Sequence, residues 1–235
     1  MKKIGMTATV AVLVILLAAL ALTGCNEKMT VEEGREVLSD SIEKALASDV
    51  YYIKYRINDK SSDEGRYVQY SLNAQGETAK FTVANGSLLK TTYDDTYYGK
   101  SLKANASSKT AKEGDYVTGM LTWQKDAWSV SECTFEEFLA DEKIAPYNMD
   151  SVTGMLSGLG TEELKISKVT RTGKVTYITA KVVKEGNPLS EYDTLEIRII
   201  YDKLAYIGDL AETFNISISY GGPKISVPAW TYLKE

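Results

Sequence analysis

The spacing of apolar and polar positions changes several times along this chain, and each change marks an element. Val10 to Leu22 is apolar throughout and follows Lys2 and Lys3. Such a run has the length of an export-signal core, roughly 7–15 residues, and falls short of the roughly 18 that a spanning helix needs. From Val31 the apolar positions become helical. Val31, Val37, Leu38, Ile42, Ala45 and Leu46 recur at helical spacings, while Glu32, Glu36, Asp40, Glu43 and Lys44 fall mostly elsewhere on the wheel. Thr30 and Glu33 form the capping-box pattern. The spacing therefore predicts an amphipathic helix over 31–48, with Val37, Leu38, Ile42 and Leu46 as the stripe to bury.

At Val50 the period falls to about two. Tyr51, Ile53, Tyr55 and Ile57 alternate with Tyr52, Lys54 and Arg56, the pattern of a half-buried strand. Tyr67–Leu72 and Ala79–Ala84 read as the next two strands, with Phe81 and Val83 in phase and Gln75-Gly76 as the turn between them. Asn85-Gly86 predicts a type I′ hairpin turn, because both residues accept positive φ. Strands are then expected over 87–93 and 96–102, with Asp94-Asp95 turning between them. Short turns between successive strands make an antiparallel meander, since parallel pairing needs long crossovers.

Residues 103–114 (KANASSKTAKEG) are poor in large apolar side chains and read as an exposed loop. The apolar residues of 115–130, among them Tyr116, Met120, Leu121, Trp123 and Trp128, fit neither period cleanly. A second capping box, Thr134 with Glu137, opens a short helix carrying Phe135, Phe138 and Leu139. A further helix is expected over 149–156, ending at Gly158 or Gly160. Strands over 164–170, 174–184, 194–201, 204–210 and 214–220 come next, with Leu195, Ile197, Ile199 and Tyr201 in strict alternation, then Phe214, Ile216, Ile218 and Tyr220. Pro223 and Pro228 would confine Lys224–Val227 to a sheet edge. Without an internal repeat or a Gly- or Pro-rich boundary, the chain divides into a signal segment 1–24, a short tether 25–29 and a single domain 30–235.

Composition narrows the functions. With 27 Lys+Arg against 32 Asp+Glu and a formal charge of −5, the chain lacks the basic footprint of a nucleic-acid binder. It has no histidine, which excludes Ser-His-Asp and Cys-His catalysis, histidine metal sites and imidazole acid–base work. No cofactor or metal is expected. Leu22-Thr23-Gly24-Cys25, directly behind the apolar run, resembles the bacterial lipobox. That resemblance implies cleavage before Cys25 and a diacylglyceryl group on its sulfur, anchoring an extracytoplasmic protein to the cell membrane. An acidic chain gains nothing from anionic lipids, so the acyl chains would hold it there. Cys133 is then left without an intramolecular disulfide partner; beside Glu132, Glu136 and Glu137 it reads as a structural cysteine rather than a nucleophile. Asp94-Asp95 and Asp141-Glu142 lack calcium-loop spacing and read as solvated charges. Trp123 and Trp128, flanking Lys125-Asp126, read as packing residues of a hairpin or as an aromatic platform for a sugar or peptide.

Helix, antiparallel strands, helical insert, antiparallel strands: this order predicts an α+β fold. A single curved antiparallel sheet, an incomplete barrel, would wrap around the N-terminal helix and the short mid-chain helices. The lipobox, the capped helix behind it, the meander, the mid-chain helices and the closing Tyr220-Gly221-Gly222-Pro223-Lys224-Ile225-Ser226-Val227-Pro228 resemble the LolA/LppX-like lipoproteins over about residues 30–230. The resemblance implies that acyl chains or lipidated cargo bind between sheet and helices. Candidate lining residues are Tyr51, Ile53, Tyr55, Phe81, Val83, Met155, Leu156, Ile197, Ile199, Phe214 and Ile218, although these positions fill the core of any half-barrel. Two readings stand. One is a membrane-anchored lipoprotein that binds or carries an apolar ligand, lipid or lipidated cargo. The other is a surface interaction lipoprotein with a filled core, meeting a protein or cell-wall partner. Neither is an enzyme.

Overall fold

The computed structural model describes residues 27–103, 109–124 and 127–228, and for 123, 124, 127 and 128 the backbone alone. The signal segment, Cys25, Lys125-Asp126 and the Trp123 and Trp128 rings therefore lie outside the described residues. The N-terminal part runs β1 (Glu27–Lys28), α1 (Val31–Leu46), β2 (Val50–Asn58), β3 (Tyr67–Gln75), β4 (Thr78–Gly86), β5 (Thr91–Leu102), β6 (Tyr116–Gln124) and β7 (Ala127–Glu132). Then come two short helices, α2 (Phe135–Ala140) and α3 (Met149–Gly154). The chain closes with β8 (Leu164–Thr172), β9 (Val175–Val182), β10 (Leu195–Ile200), β11 (Lys203–Asp209) and β12 (Phe214–Ser219).

All of these strands join one 12-stranded sheet in the order β1-β8-β9-β10-β11-β12-β2-β3-β4-β5-β6-β7. Every neighbouring pair is antiparallel. Strands β1 and β7 form the two edges, so among the described residues the sheet does not close into a barrel. This is the expected incomplete barrel with a few helices. Strand β12 lies against β2, with Ile218 opposite Ile53 and Phe214 opposite Ile57. The chain leaves one edge at β7 and re-enters beside the other at β8, so residues 133–163 cross the concave side. Along that crossing Phe138, Ile144, Met149, Val152 and Leu156 are buried in the core.

Both capping boxes form. Thr30 Oγ1 accepts from Glu33 N at 3.2 Å and Thr30 N donates to Glu33 Oε2 at 2.7 Å; Thr134 and Glu137 repeat the arrangement. The buried face of α1 differs from expectation: Gly34, Leu38, Ser41, Ile42 and Ala45 are buried, whereas Leu46 is exposed. Close approach explains the shift. A Cβ on Gly34 would lie 2.5 Å from Val169 Cγ2 on β8, so only small residues fit there. The Ser41 hydroxyl is satisfied by the Leu38 carbonyl at 2.8 Å, and Arg35 donates to the carbonyls of Leu164 and Thr161.

The structure departs from the sequence reading at three further places. Asn85-Gly86 is strand, not turn: Gly86 pairs with both Tyr67 and Thr91, and neither residue has positive φ. The turn is Ser87–Lys90, closed by Ser87 N on Lys90 O at 2.8 Å. Gly86 is small because the Tyr67 ring lies where its Cβ would be. Strand β5 runs unbroken through Asp94-Asp95, since their charges fall on opposite faces. Asp95, on the convex side, meets Lys80 Nζ at 2.8 Å and the Thr82 hydroxyl at 2.7 Å. Lastly, Lys224–Val227 is not an edge strand. The Pro223 carbonyl accepts from Asn73 Nδ2 at 2.8 Å and Gln75 Nε2 at 2.9 Å, and the Pro228 carbonyl from Ser101 Oγ at 2.7 Å. The tail thus crosses the convex face on its carbonyls, which suits prolines that cannot donate to a ladder. The stretch 115–130, which fitted neither period, is the edge hairpin β6–β7 with Trp123 opposite Trp128.

Among the described residues the core draws on positions from Met29 to Tyr220, so both ends of the sheet and the segment between them share one buried interior.

Candidate functional site

The concave side is divided in two. Under β8–β12 and β2 it is filled: Ile53, Ile197, Ile207 and Phe214 are 0% exposed and pack with Leu38 and Ile42 of α1 and Val152 and Leu156 of the α3 region. Under β3–β6 a groove of about 920 Å³ remains between the sheet and residues 141–147, large enough for a small-molecule ligand. Tyr70, Phe81, Val83 and Met120 form its apolar floor, and Ile144, Pro146 and Tyr147 its roof.

Tyr147 is the wall between the two halves. The turn Ala145–Tyr147 holds it, and Asn148 fixes the start of α3, accepting from Ser151 N at 2.8 Å and donating to the Leu139 carbonyl at 3.2 Å. The Tyr147 ring stacks on Tyr70 with centroids 4.1 Å apart, lies 5.8 Å from Phe81 and meets Tyr55 edge-on at 5.4 Å. Burial, with the Tyr70 hydroxyl beside it, pushes the Tyr147 phenol well above its ordinary value. Burial also raises Tyr55 and Tyr51 to about 12. One end of the groove is closed by α2, whose Phe135 and Phe138 rings lie 5.3 and 5.4 Å from Tyr98.

Strand register gives the floor a direction. Tyr98 pairs with Met120 near the closed end. Next come Phe81, Thr96 and Thr122 in one row, then Val83 opposite Asp94, then Asn85 opposite Thr92. Exposure rises along this series: Phe81 is 3% exposed, whereas Asp94, Asn85 and Thr92 are all exposed. The polar rim consists of Asp94 on the floor side and Asp141, Glu142 and Lys143 on the roof side.

The residues singled out from sequence separate accordingly. Phe81 and Val83 line the groove, and Tyr55 touches its wall through Tyr147. Tyr51, Ile53, Leu156, Ile197, Ile199, Phe214 and Ile218 are buried in the core. Met155 is half-buried at a separate outer cleft, where its carbonyl accepts from Asn187 Nδ2 at 2.8 Å. Sequence reasoning missed Tyr70, Met120, Ile144 and Tyr147. Alternation from Leu72 reaches Tyr70, but nothing in the local pattern of 141–147 marks Tyr147 as a wall. Cys133 is half-buried and forms no disulfide among the described residues. Burial pushes its thiol up, with Glu137 and Asp141 adding to the effect and a Met120 backbone hydrogen bond opposing it. Among the described residues no cluster of Cys, Asp and Glu is arranged to hold a metal, and no helix is long and apolar enough to cross a membrane.

No protein-family model matches the chain, and no curated protein matches it. Among solved structures it is similar to LprF from Mycobacterium bovis, with a TM-score of 0.41 and 11% identity over 87% of this chain and 99% of that one.

Proposed function

We propose that this chain is an extracytoplasmic lipoprotein, tethered through Cys25, that holds the acyl chain of a lipid or lipidated molecule in the groove under β3–β6. The observation that carries this reading is the groove itself. It is a space of about 920 Å³ with an apolar floor and a polar rim, in a molecule whose other concave half is closely packed. An acyl chain lying there would gain roughly 0.8 kcal/mol per buried methylene, about 10 kcal/mol for a dozen, which leaves about 6 kcal/mol, or binding on the order of 0.1 mM, after an association cost of about 4 kcal/mol. We read the role as binding: the sequence has no histidine, which removes histidine-dependent catalysis, and Tyr70, Phe81, Val83 and Met120 make the floor apolar. Extraction of lipid from protein purified from its native membrane, together with native mass spectrometry, tests the reading. A bound acyl lipid lost on Phe81→Trp is expected. A ligand-free mass, with no thermal shift on adding lipids, would overturn it. Cys25→Ser should abolish lipidation, and membrane retention of normally processed Cys25→Ser protein would remove the tether from the account.

A second reading, an interaction lipoprotein, is favoured by the β4–β5 turn, where Leu88 and Leu89 are 80% and 93% exposed. Under it, the lipid test gives the ligand-free result, and Leu88→Ser with Leu89→Ser abolishes binding to a protein or cell-wall partner.

A further inference from the structure

From the rim of the groove we infer the head group of its ligand: a single-chain amphiphile ending in an ammonium, rather than a fatty acid carboxylate. The inference rests on the acyl-binding reading and adds the polar end that the reading leaves open. The cavity makes the site, and the charges at its mouth select among chains that fit it.

The apolar part of the groove sits where burial is deepest, with Phe81 on the floor and Ile144 on the roof buried and Tyr70 and Met120 half-buried. Polarity then increases along one direction of the sheet. Thr96 and Thr122 share the row of Phe81, and Asp94 lies one row further out, opposite Val83. Two residues along a strand advance roughly 6.8 Å, so Asp94 stands about that far outward from the buried Phe81 row. Across the opening stand Asp141, Glu142 and Lys143. Three carboxylates and one ammonium make the mouth formally negative. Among the described residues none of the ion pairs involves Asp94, Asp141 or Glu142. Asp141 is engaged in its own turn, accepting from Lys143 N at 3.0 Å. Asp94 and Glu142 are the carboxylates left to face a ligand head group. A chain seated on the floor would bring a terminal carboxylate into this field at a cost and an ammonium at a gain. An alkylamine, a choline or ethanolamine head group and the amino end of a lipidated peptide all present this chemistry.

The test measures binding of dodecylammonium, monododecanoylglycerol and dodecanoate to the chain from Glu27 onward by calorimetry at low salt, below their micelle concentrations. The two dodecanoyl probes share an 11-carbon alkyl chain and dodecylammonium carries one carbon more, which adds roughly fourfold in affinity and is divided out before the three are compared. We expect dodecylammonium to bind about tenfold more tightly than dodecanoate, with the neutral glyceride between them, and the spread to shrink as salt screens the rim. Asp94→Asn with Glu142→Gln should bring the three affinities together. Both side chains are exposed, so the variant keeps the fold. Glu32→Gln with Asp40→Asn, on the exposed face of α1, changes the net charge equally and should leave the preference intact. Equal binding of all three probes, a preference for dodecanoate, or an equal effect of the α1 variant would overturn the head-group assignment and leave acyl binding standing. No binding of any probe would overturn the acyl-binding reading and this inference with it.

Discussion

Gly34→Ala sets two effects of similar size against each other, and the structure decides the winner. In an open helix interior the change stabilises by about 1 kcal/mol, because glycine has more backbone freedom to lose. Here the new Cβ would lie 2.5 Å from Val169 Cγ2, against an ordinary contact of 3.4–4 Å. Val169 is 4% exposed and β-branched, so it has little freedom to swing aside. Overpacking of this kind costs about 1–3 kcal/mol. The expected net effect is a loss of about 1 kcal/mol. Val169→Ala alone should cost about 2 kcal/mol through lost burial and the space left behind. In that background the obstacle is gone, so Gly34→Ala should change sign and stabilise by about 1 kcal/mol. Urea unfolding of the four proteins, with unchanged m-values, measures a coupling of about 2 kcal/mol. A stabilising Gly34→Ala in the wild-type background, or strict additivity across the cycle, would mean that α1 does not rest on β8 as described.

Asn85→Val should be tolerated within about 0.5 kcal/mol, because a strand accepts a β-branched residue that a positive-φ turn position would not; a loss above about 2 kcal/mol would return the turn to Asn85-Gly86. Tyr51 and Tyr55 have folded pKa values of about 12 against an ordinary 10.0. The folded state thus holds their protons more tightly than the unfolded chain, so their contribution is intact below about pH 10 and lost as pH rises towards about 12. Ultraviolet titration should show tyrosinate appearing late and together with unfolding, and a single transition near the ordinary value with the fold intact would refute this. Alkylation of Cys133 at mildly alkaline pH should be slower than that of a free cysteine, since burial disfavours its thiolate; an equal rate would place the thiol in open solvent.

Wherever a period was strong, the fold could be read from the residues. The alternation of Tyr51, Ile53 and Tyr55 and of Leu195, Ile197 and Ile199 gave strands whose inward faces are the buried ones, but it fails at the strand ends, where Ile57 and Tyr201 are exposed. The capping patterns at Thr30 and Thr134 formed as read. Local chemistry misled where tertiary contacts use the same residues otherwise. Gly86 is a glycine for the sake of the Tyr67 ring, and the Asp94-Asp95 pair is split across the two faces of a strand. Positive φ falls as expected at Gly76 in the turn after Gln75, but two successive positive φ values, 50° and 60°, occur at Tyr201-Asp202, where no glycine or asparagine stands. The groove was legible only through Phe81 and Val83. Its other boundary is set by where residues 141–147 come to rest, and that depends on the crossing from β7 to β8, a relation between distant segments that no local period records.

The pairing of β12 with β2 fixes the order in which the sheet becomes whole. Each half of the sheet is built mainly of neighbouring hairpins, which form early because their partners are close in sequence. The joint between the halves has to wait for Phe214–Ser219, synthesised last among the strands. Until then the outer edge of β2, with Tyr51, Ile53 and Tyr55 along it, is an unpaired template open to any other strand. A chain ending before Phe214 would keep that edge, and would be expected to aggregate even though most of its hairpins are intact. During synthesis, the interval between exposing β2 and delivering β12 is therefore the period in which the chain needs protection.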